Sequence, residues 1–375
     1  MKRFWAFMAL FFAAALTSAC NTGLDVSEID IPDGYIKDRS SGMYAERERL
    51  CMEFVENRLT SNTGGIHTNY IDSPGGGDVA TGHEMLCESE GLIMIYYANR
   101  ADKEMFDRHY AFVANRLLMS SGTLRWRVDG DGRPLENTSA SIDDLRVVRA
   151  MLYAYDMWGD EKYMLAADKI GTGILKNTTY KGSLVNHYDE DSNYRGHEID
   201  LSYIDLLTMS IMEGFGDKGW KAAAGKGIEI IDGGYLGDDF PFYRKAYDLK
   251  EESYDENESV NMIDSLLVVL HLGELGMQRE ISLDWLKNTL EDGPVYSRYK
   301  TDGTAEPGSY ESTAVYAIIA RIAKNAGDYG LHRMAVERMI SLQVKYEGSR
   351  IYGAFGDEST LEVFSFDNLQ ALLGF

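Results

Sequence analysis

Residues 142–176 read IDDLRVVRAMLYAYDMWGDEKYMLAADKIGTGILK, and this stretch decides the fold class. Apolar residues recur with the period of an amphipathic helix on both sides of the short connection Trp158-Gly159-Asp160. Because so short a connection joins antiparallel neighbours, the stretch predicts a hairpin of two helices, 142–158 and 160–176.

The same pattern continues from Gly42 to the end of the chain, with long loops rich in Gly and Tyr between the hairpins. About twelve helices are predicted: 43–59, 89–100, 102–119, 142–158, 160–176, 199–213, 217–231, 260–275, 281–291, 310–325, 328–342 and 359–373. Six hairpins separated by long loops predict an all-α fold, an (α/α)₆ toroid whose loops build one functional face. Since no Pro/Ser-rich linker divides the chain, one domain over residues 42–375 is expected, and an open α-solenoid is the alternative.

The composition of the 375 residues is that of a globular protein, with 45% hydrophobic and 26% charged residues. Sixty Asp and Glu residues against 37 Lys and Arg residues give a formal net charge of −23. Such a charge repels nucleic acid, so a nucleic-acid partner is excluded and a neutral or cationic ligand is favoured.

The N-terminus has the pattern of a targeting segment. Lys2 and Arg3 precede an apolar run, and small residues lead to Cys20, which predicts a signal peptide over residues 1–19. Thr17-Ser18-Ala19-Cys20 resembles a bacterial lipobox, which implies lipidation of Cys20 and a polar tether over residues 20–41. We therefore expect an extracytoplasmic protein, lipid-anchored to the bacterial cell membrane, with plain secretion or an uncleaved anchor as alternatives.

The cysteine and histidine residues do not form a known catalytic or metal-binding motif. Cys51 and Cys87 lie in apolar helical contexts that favour buried free thiols. The seven His residues are scattered and no metal or phosphate motif occurs, so neither a metal nor another cofactor is predicted.

Carboxylates are the remaining catalytic candidates. Glu90, in Ser89-Glu90-Gly91, falls in the first turn of a predicted buried helix, where it could do chemistry or only complement the helix dipole. Asp144 has capping-box spacing from Ser141, so it could bind substrate, cap its helix or do both. Asp255 lies in an acidic loop that could simply be solvated, and Asp264, on the following helix, is the reserve candidate.

Three segments in this order resemble glycoside hydrolase family 8. Ser89-Glu90-Gly91 resembles the family's SEG motif, and Ser253-Tyr254-Asp255 resembles its SYD element. The segment from Ala140 to Asp144 resembles its A-[ST]-D-[AG]-D signature, although Ile142 replaces the first acid and the Arg expected after Asp255 is missing. The resemblance implies an (α/α)₆ barrel and an inverting mechanism, with Glu90 as general acid, Asp255 as general base and Asp144 as a substrate-binding residue.

Sugar rings bind on aromatic platforms edged with polar groups. Trp126 lies in a predicted cleft loop, and Leu201-Ser202-Tyr203 resembles the family's PSY element, so Trp126 and Tyr203 are predicted to contact substrate. The resulting hypothesis is an endo-acting hydrolase of a β-linked polysaccharide, either an exopolysaccharide or a β-glucan. A polysaccharide lyase on the same fold and a non-catalytic glycan-binding or assembly lipoprotein are the alternatives.

Overall fold

The computed structural model describes residues 44–73 and 79–375. The predicted signal peptide, the lipidated Cys20 and the tether lie outside the described residues. Within the described part, no helix combines the length and the apolar character needed to cross a membrane.

Twelve α-helices are described, so the predicted all-α fold and the predicted helix number are confirmed. They are α1 (Ala45–Phe54), α2 (Cys87–Asn99), α3 (Lys103–Phe112), α4 (Ser141–Trp158), α5 (Glu161–Asn177), α6 (Leu206–Glu213), α7 (Lys218–Gly233), α8 (Met262–Gly273), α9 (Glu280–Asp292), α10 (Thr313–Ala326), α11 (Tyr329–Ser341) and α12 (Ser365–Gly374). Helices α1 and α3 each continue into one π-helical turn, Val55–Leu59 and Val113–Leu117.

The even-numbered helices form a closed inner ring. Each contacts the next, and α12 contacts α2, which distinguishes a barrel from an open solenoid. They are apolar almost all round, as in α10, where every residue from Thr313 to Ala320 is buried. The outer helices bury only one stripe, as in α5, where Tyr163, Ala167 and Ile174 face inward at helical spacing.

In the described part of the chain, twelve short strands form five small antiparallel sheets in the loops. They are β1 (Met85–Leu86), β2 (Arg127–Val128), β3 (Thr138–Ala140), β4 (Thr179–Tyr180), β5 (Ser183–Leu184), β6 (His187–Asp189), β7 (Tyr194–Arg195), β8 (Glu198–Asp200), β9 (Ala246–Asp248), β10 (Ser253–Tyr254), β11 (Ser259–Asn261) and β12 (Arg298–Lys300). Strands β1, β3 and β11 end one residue before α2, α4 and α8, so the sheets collect at the N-terminal ends of the inner helices. We call this end of the barrel the loop face.

Two predicted helices begin much later than expected, and one of them is the helix predicted over 359–373, which begins at Ser365 as α12. The sequence predicts a helix over 199–213, but α6 begins at Leu206 because Asp205 caps it by accepting a hydrogen bond from the Thr208 amide. The residues before this cap pair with β9 as strand β8. The predicted burial and free state of Cys51 and Cys87 are confirmed.

Candidate active site

Four inner helices share a polar residue at their fourth position that holds the preceding loop. In each case the buried side chain accepts a hydrogen bond from a backbone amide of that loop. The pairs are Ile66 N to Glu90 Oε1 at 2.9 Å, Leu124 N to Asp144 Oδ1 at 3.0 Å, Tyr243 N to Ser265 Oγ at 2.9 Å, and Phe355 N to Asn368 Oδ1 at 2.9 Å. The repetition in α2, α4, α8 and α12 indicates a structural role, the fixing of the loops over the barrel.

Glu90 belongs to this structural set. Its side chain is fully buried, and its second carboxylate oxygen lies 2.8 Å from Nδ1 of His109, which is buried as well. Both oxygens are therefore occupied inside the barrel wall. The predicted role of Glu90 as general acid stays a prediction, and its position does not favour it.

Asp144 is also fully buried, and burial raises the pKa of its carboxyl well above the ordinary value. The alternative that Asp144 caps α4 is wrong, because its carboxylate binds the Leu124 amide, and the Ser141 amide donates to the backbone carbonyl of Asn186. The predicted substrate contact stays a prediction, which the burial of Asp144 does not favour.

A different set of acids lies one or two residues earlier in three of these helices, α2, α4 and α8. Glu88 is the second residue of α2, and Asp143 and Asp264 are the third residues of α4 and α8. Successive residues of a helix are turned by about 100°, so these side chains point away from the direction of the fourth residue. The side chain of Glu88 is 27% exposed, which leaves it open to a ligand.

Contacts and charge join these three acids, which we call the acid cluster. Arg146 Nη1 lies 2.8 Å from Asp143 Oδ1 and 3.4 Å from Glu88 Oε2. Burial raises the pKa of Asp143 to about 7, and the charge of Glu88 contributes to that rise. Burial also raises the pKa of Asp264 to about 6, with smaller contributions from the charges of Asp200 and Glu88.

The pKa of Glu88 is raised as well, chiefly by burial, while the nearby Arg146 guanidinium opposes the rise. Carboxyls with raised pKa values at one end of a barrel are typical of acid–base catalysis. The acid cluster can therefore supply both a proton donor and a proton acceptor near neutral pH.

The two predicted aromatic contacts lie beside the acid cluster. The backbone carbonyl of Trp126 accepts a hydrogen bond from the amide of Cys87, the residue before Glu88. Burial, followed by the charge of Asp143, raises the pKa of the Tyr203 hydroxyl. Both rings are partly exposed, so their predicted contact with substrate fits their positions and stays a prediction.

Asp255 follows β10 on the loop face and fixes a hairpin. Its Oδ1 accepts a hydrogen bond from the Ala246 amide at 2.9 Å, and its backbone carbonyl accepts one from Arg244. Its charge makes a small contribution to the raised pKa of Glu198, so these two carboxylates lie near each other. The predicted pairing of Asp255 with Glu90 stays a prediction. The enclosure of Glu90 in the barrel wall does not favour it.

Asp205, His271 and Glu274 are close enough together to suggest a metal site. Arg149 pairs with both acids of the group, donating to both oxygens of Glu274 at 2.6 and 2.7 Å and to Asp205. Although burial alone would raise it, the Arg149 charge holds the pKa of Glu274 well below its usual range. We assign this group a structural role as a buried ion-pair network.

Sequence reasoning missed Glu88, Asp143 and Arg146 as site residues. Asp143 lies within a motif that it singled out, Glu88 directly precedes one and Arg146 closely follows one. The pattern that separates the two groups is visible in the structure: in α2, α4 and α8 the fourth helical residue holds a loop, whereas the second or third belongs to the acid cluster.

Comparison with known proteins places the chain among carbohydrate enzymes. A structure described as a novel alpha-amylase from Clostridium perfringens is 36% identical, covers 88% of this chain and 96% of its own, and superposes with a TM-score of 0.82. Endoglucanase Cel10 of Klebsiella pneumoniae, a family 8 glycosyl hydrolase, shares the fold at 16% identity, with a TM-score of 0.61 and coverage of 86% and 97%. The "Putative lipoprotein YdaJ" of Bacillus subtilis (strain 168) is 26% identical over 325 residues, 85% of this chain and 84% of its own. No family model matches the chain.

Proposed function

This chain belongs to glycoside hydrolase family 8, and from that membership we propose that it cleaves internal bonds of a polysaccharide outside the cytoplasm by an inverting mechanism. The observation that carries the proposal is the acid cluster, three carboxyls with raised pKa values on the loop face of the barrel. Inversion needs one protonated carboxyl at the leaving oxygen and one carboxylate that activates water.

Glu88 takes the role of general acid. Burial favours its protonated form, and its partial exposure lets it reach a leaving oxygen. Asp264 takes the role of general base, because a carboxyl with a pKa of about 6 is ionised near neutral pH and still basic enough to accept a proton from water. Inverting enzymes keep the two carboxyls about 6.5–9.5 Å apart to hold that water.

Asp143 orients the sugar between these two groups. Arg146 binds its carboxylate at 2.8 Å and fixes its direction. Trp126 and Tyr203 supply ring faces beside the bond to be cleaved, where the apolar face of a sugar packs.

A β-linked polysaccharide, such as a β-glucan or an exopolysaccharide, is the first candidate substrate. The endoglucanase that shares this fold supports it. An α-linked glucan is the second candidate, because the Clostridium perfringens relative, at 36% identity, is described as an alpha-amylase.

Incubation of the protein with carboxymethylcellulose, mixed-linkage β-glucan, soluble starch and bacterial exopolysaccharide separates these candidates. We expect reducing ends to appear with one linkage class, and proton NMR of the fresh products to show inversion at the anomeric carbon. Retention of configuration would remove the water-activating role of Asp264, and an unsaturated product absorbing in the ultraviolet would indicate a lyase.

The geometry of the barrel complements the lipid anchor proposed at Cys20. Glu48, in the first turn of α1, forms an ion pair with Arg100, the residue after the end of α2. Glu88 lies at the other end of α2, a helix of 13 residues that is about 20 Å long. The first described helix therefore begins at the end of the barrel opposite the loop face, which is where a tether over residues 20–41 would approach the domain.

Replacement of the lipidated residue tests the anchor. In the producing cell type, we expect the wild-type protein to sediment with membranes and Cys20→Ala to appear in the soluble extracytoplasmic fraction, since the lipid supplies the membrane affinity. Cys51→Ala is the matched control. Membrane retention of Cys20→Ala would indicate an uncleaved hydrophobic anchor instead.

A further inference from the structure

Near the acid cluster, the loop face carries a cavity of about 500 Å³. We call it the His pocket because its lining includes the stacked rings of His67 and His83, whose centroids are 4.1 Å apart with planes inclined by 14°. The rest of its lining is almost wholly polar and includes Asp72, Glu84 and Asp129.

The His pocket is connected to the acid cluster through strand β1. Glu84, in its lining, stands four residues before Glu88, so even a fully extended chain separates them by at most about 14 Å. Glu84 also pairs with Arg127 at 3.4 Å, and the Arg127 guanidinium lies 4.4 Å from the ring centroid of Trp126. A continuous run of polar and aromatic groups thus leads from the pocket towards Glu88.

The chemistry of the lining selects for a neutral, hydroxyl-rich ligand. Among the described residues that line it are carboxylates and hydroxyls but no Lys or Arg, so an anionic ligand would be repelled. Burial, together with the nearby His83, lowers the pKa of His67 to about 4, so its imidazole is neutral at pH 7 and can both donate and accept a hydrogen bond. Among the described residues, the three-ligand group suited to a metal is the one at Asp205, which lies elsewhere.

We propose that the His pocket is a remote subsite that binds a neutral glycosyl unit of the same polysaccharide chain that the acid cluster cleaves. The proposal rests on the proposed function. The parallel imidazoles of His67 and His83 contact the ring of the sugar, and carboxylates such as Asp72 accept hydrogen bonds from its hydroxyls. Long chains that span both sites gain affinity that short chains lack.

Chain-length dependence tests this subsite. The substrates are cellohexaose and maltohexaose, each compared with its trisaccharide. We expect His83→Ala to raise the KM for the hexasaccharide that is hydrolysed about tenfold. The kcat and the hydrolysis of the trisaccharide should be unchanged. Asp72→Asn should raise the same KM about threefold; since this side chain is 70% exposed, the substitution leaves folding intact. Tyr329→Ala, at a residue 87% exposed at the start of α11, is the control. Equal KM ratios in wild type and both pocket variants would overturn the subsite.

A binding measurement separates the subsite from catalysis. In Glu88→Gln protein, we expect the ring C–H signals of His67 and His83 to shift in NMR spectra when cellohexaose or maltohexaose is added. Absence of reducing ends from wild type with persisting shifts would contradict the proposed function and support the subsite. Unshifted His signals with both hexasaccharides would overturn the subsite whatever the activity.

Discussion

Glu88→Gln is expected to lower the release of reducing ends from the polysaccharide by about 10²–10⁴-fold, whereas Glu90→Gln keeps most of the activity. A glutamine at position 88 cannot give a proton to the leaving oxygen. Because Glu88 is partly exposed and bound only weakly by Arg146, the loss should fall on kcat while polysaccharide binding persists.

Glu90→Gln preserves the contacts that Glu90 makes. The amide oxygen of glutamine can still accept the hydrogen bond of the Ile66 amide, and the amide nitrogen can donate to a neutral His109 in the other tautomer. A substitution that removes both contacts, Glu90→Leu, should instead lower thermal stability, because the buried Ile66 amide would lose its partner.

Reducing-end assays and thermal unfolding of the three variants provide the measurement. Equal losses of activity in Glu88→Gln and Glu90→Gln at unchanged thermal stability would contradict the assignment and return Glu90 to the acid role. Binding without product in wild type, on every glycan tested, would support a non-catalytic glycan-binding lipoprotein.

The architecture was predictable because its signal is repeated along the whole chain. Inner helices such as α10 are apolar for several turns, and short Gly-containing connections mark the hairpins, so twelve helices follow from periodicity. The loop strands were not predictable, since strands such as β1, with two residues, are too short to show alternation. The start of α6 was misjudged because the cap at Asp205 lies within an apolar run.

At the candidate site, the sequence located the segments, while the choice of catalytic residue within each segment stays a prediction. Family resemblance located the starts of α2 and α4, yet in each the acid of the acid cluster stands beside the one predicted: Glu88 before Glu90, and Asp143 before Asp144. A shift of one or two residues along a helix changes whether a side chain holds the preceding loop or belongs to the acid cluster. A short sequence motif does not decide which of the neighbouring acids takes which position. Asp264, the reserve candidate of the sequence, is the base proposed here, because it lies in the first turn of α8 near the charge of Glu88. The predicted role of Asp255, which follows β10 in a loop, stays a prediction.

Asp264→Asn is expected to lower the rate of hydrolysis by about 10²–10⁴-fold, and at the same time to stabilise the protein at neutral pH. The pKa of Asp264 is about 6 in the folded protein, above the value of 3.8 for an unperturbed Asp, because burial disfavours its charged form. A raised pKa contributes stability that is fully present below about pH 4 and is lost as pH rises through about 6. Asn carries no charge, so the variant avoids this loss.

Thermal unfolding at two pH values separates this effect from simple repacking. At pH 7.5, Asp264→Asn should unfold at a higher temperature than wild type, with a gain in the free energy of unfolding on the order of 2 kcal/mol. At pH 4 the two proteins should unfold at the same temperature.

Wild-type kcat/KM should fall below about pH 6, because protonated Asp264 can no longer accept a proton from water. Asp255→Asn, which keeps an acceptor for the Ala246 amide, is the matched control and should retain activity. Equal activity of Asp264→Asn and wild type would remove Asp264 as the base, and inactivity of Asp255→Asn alone would restore Asp255 to that role.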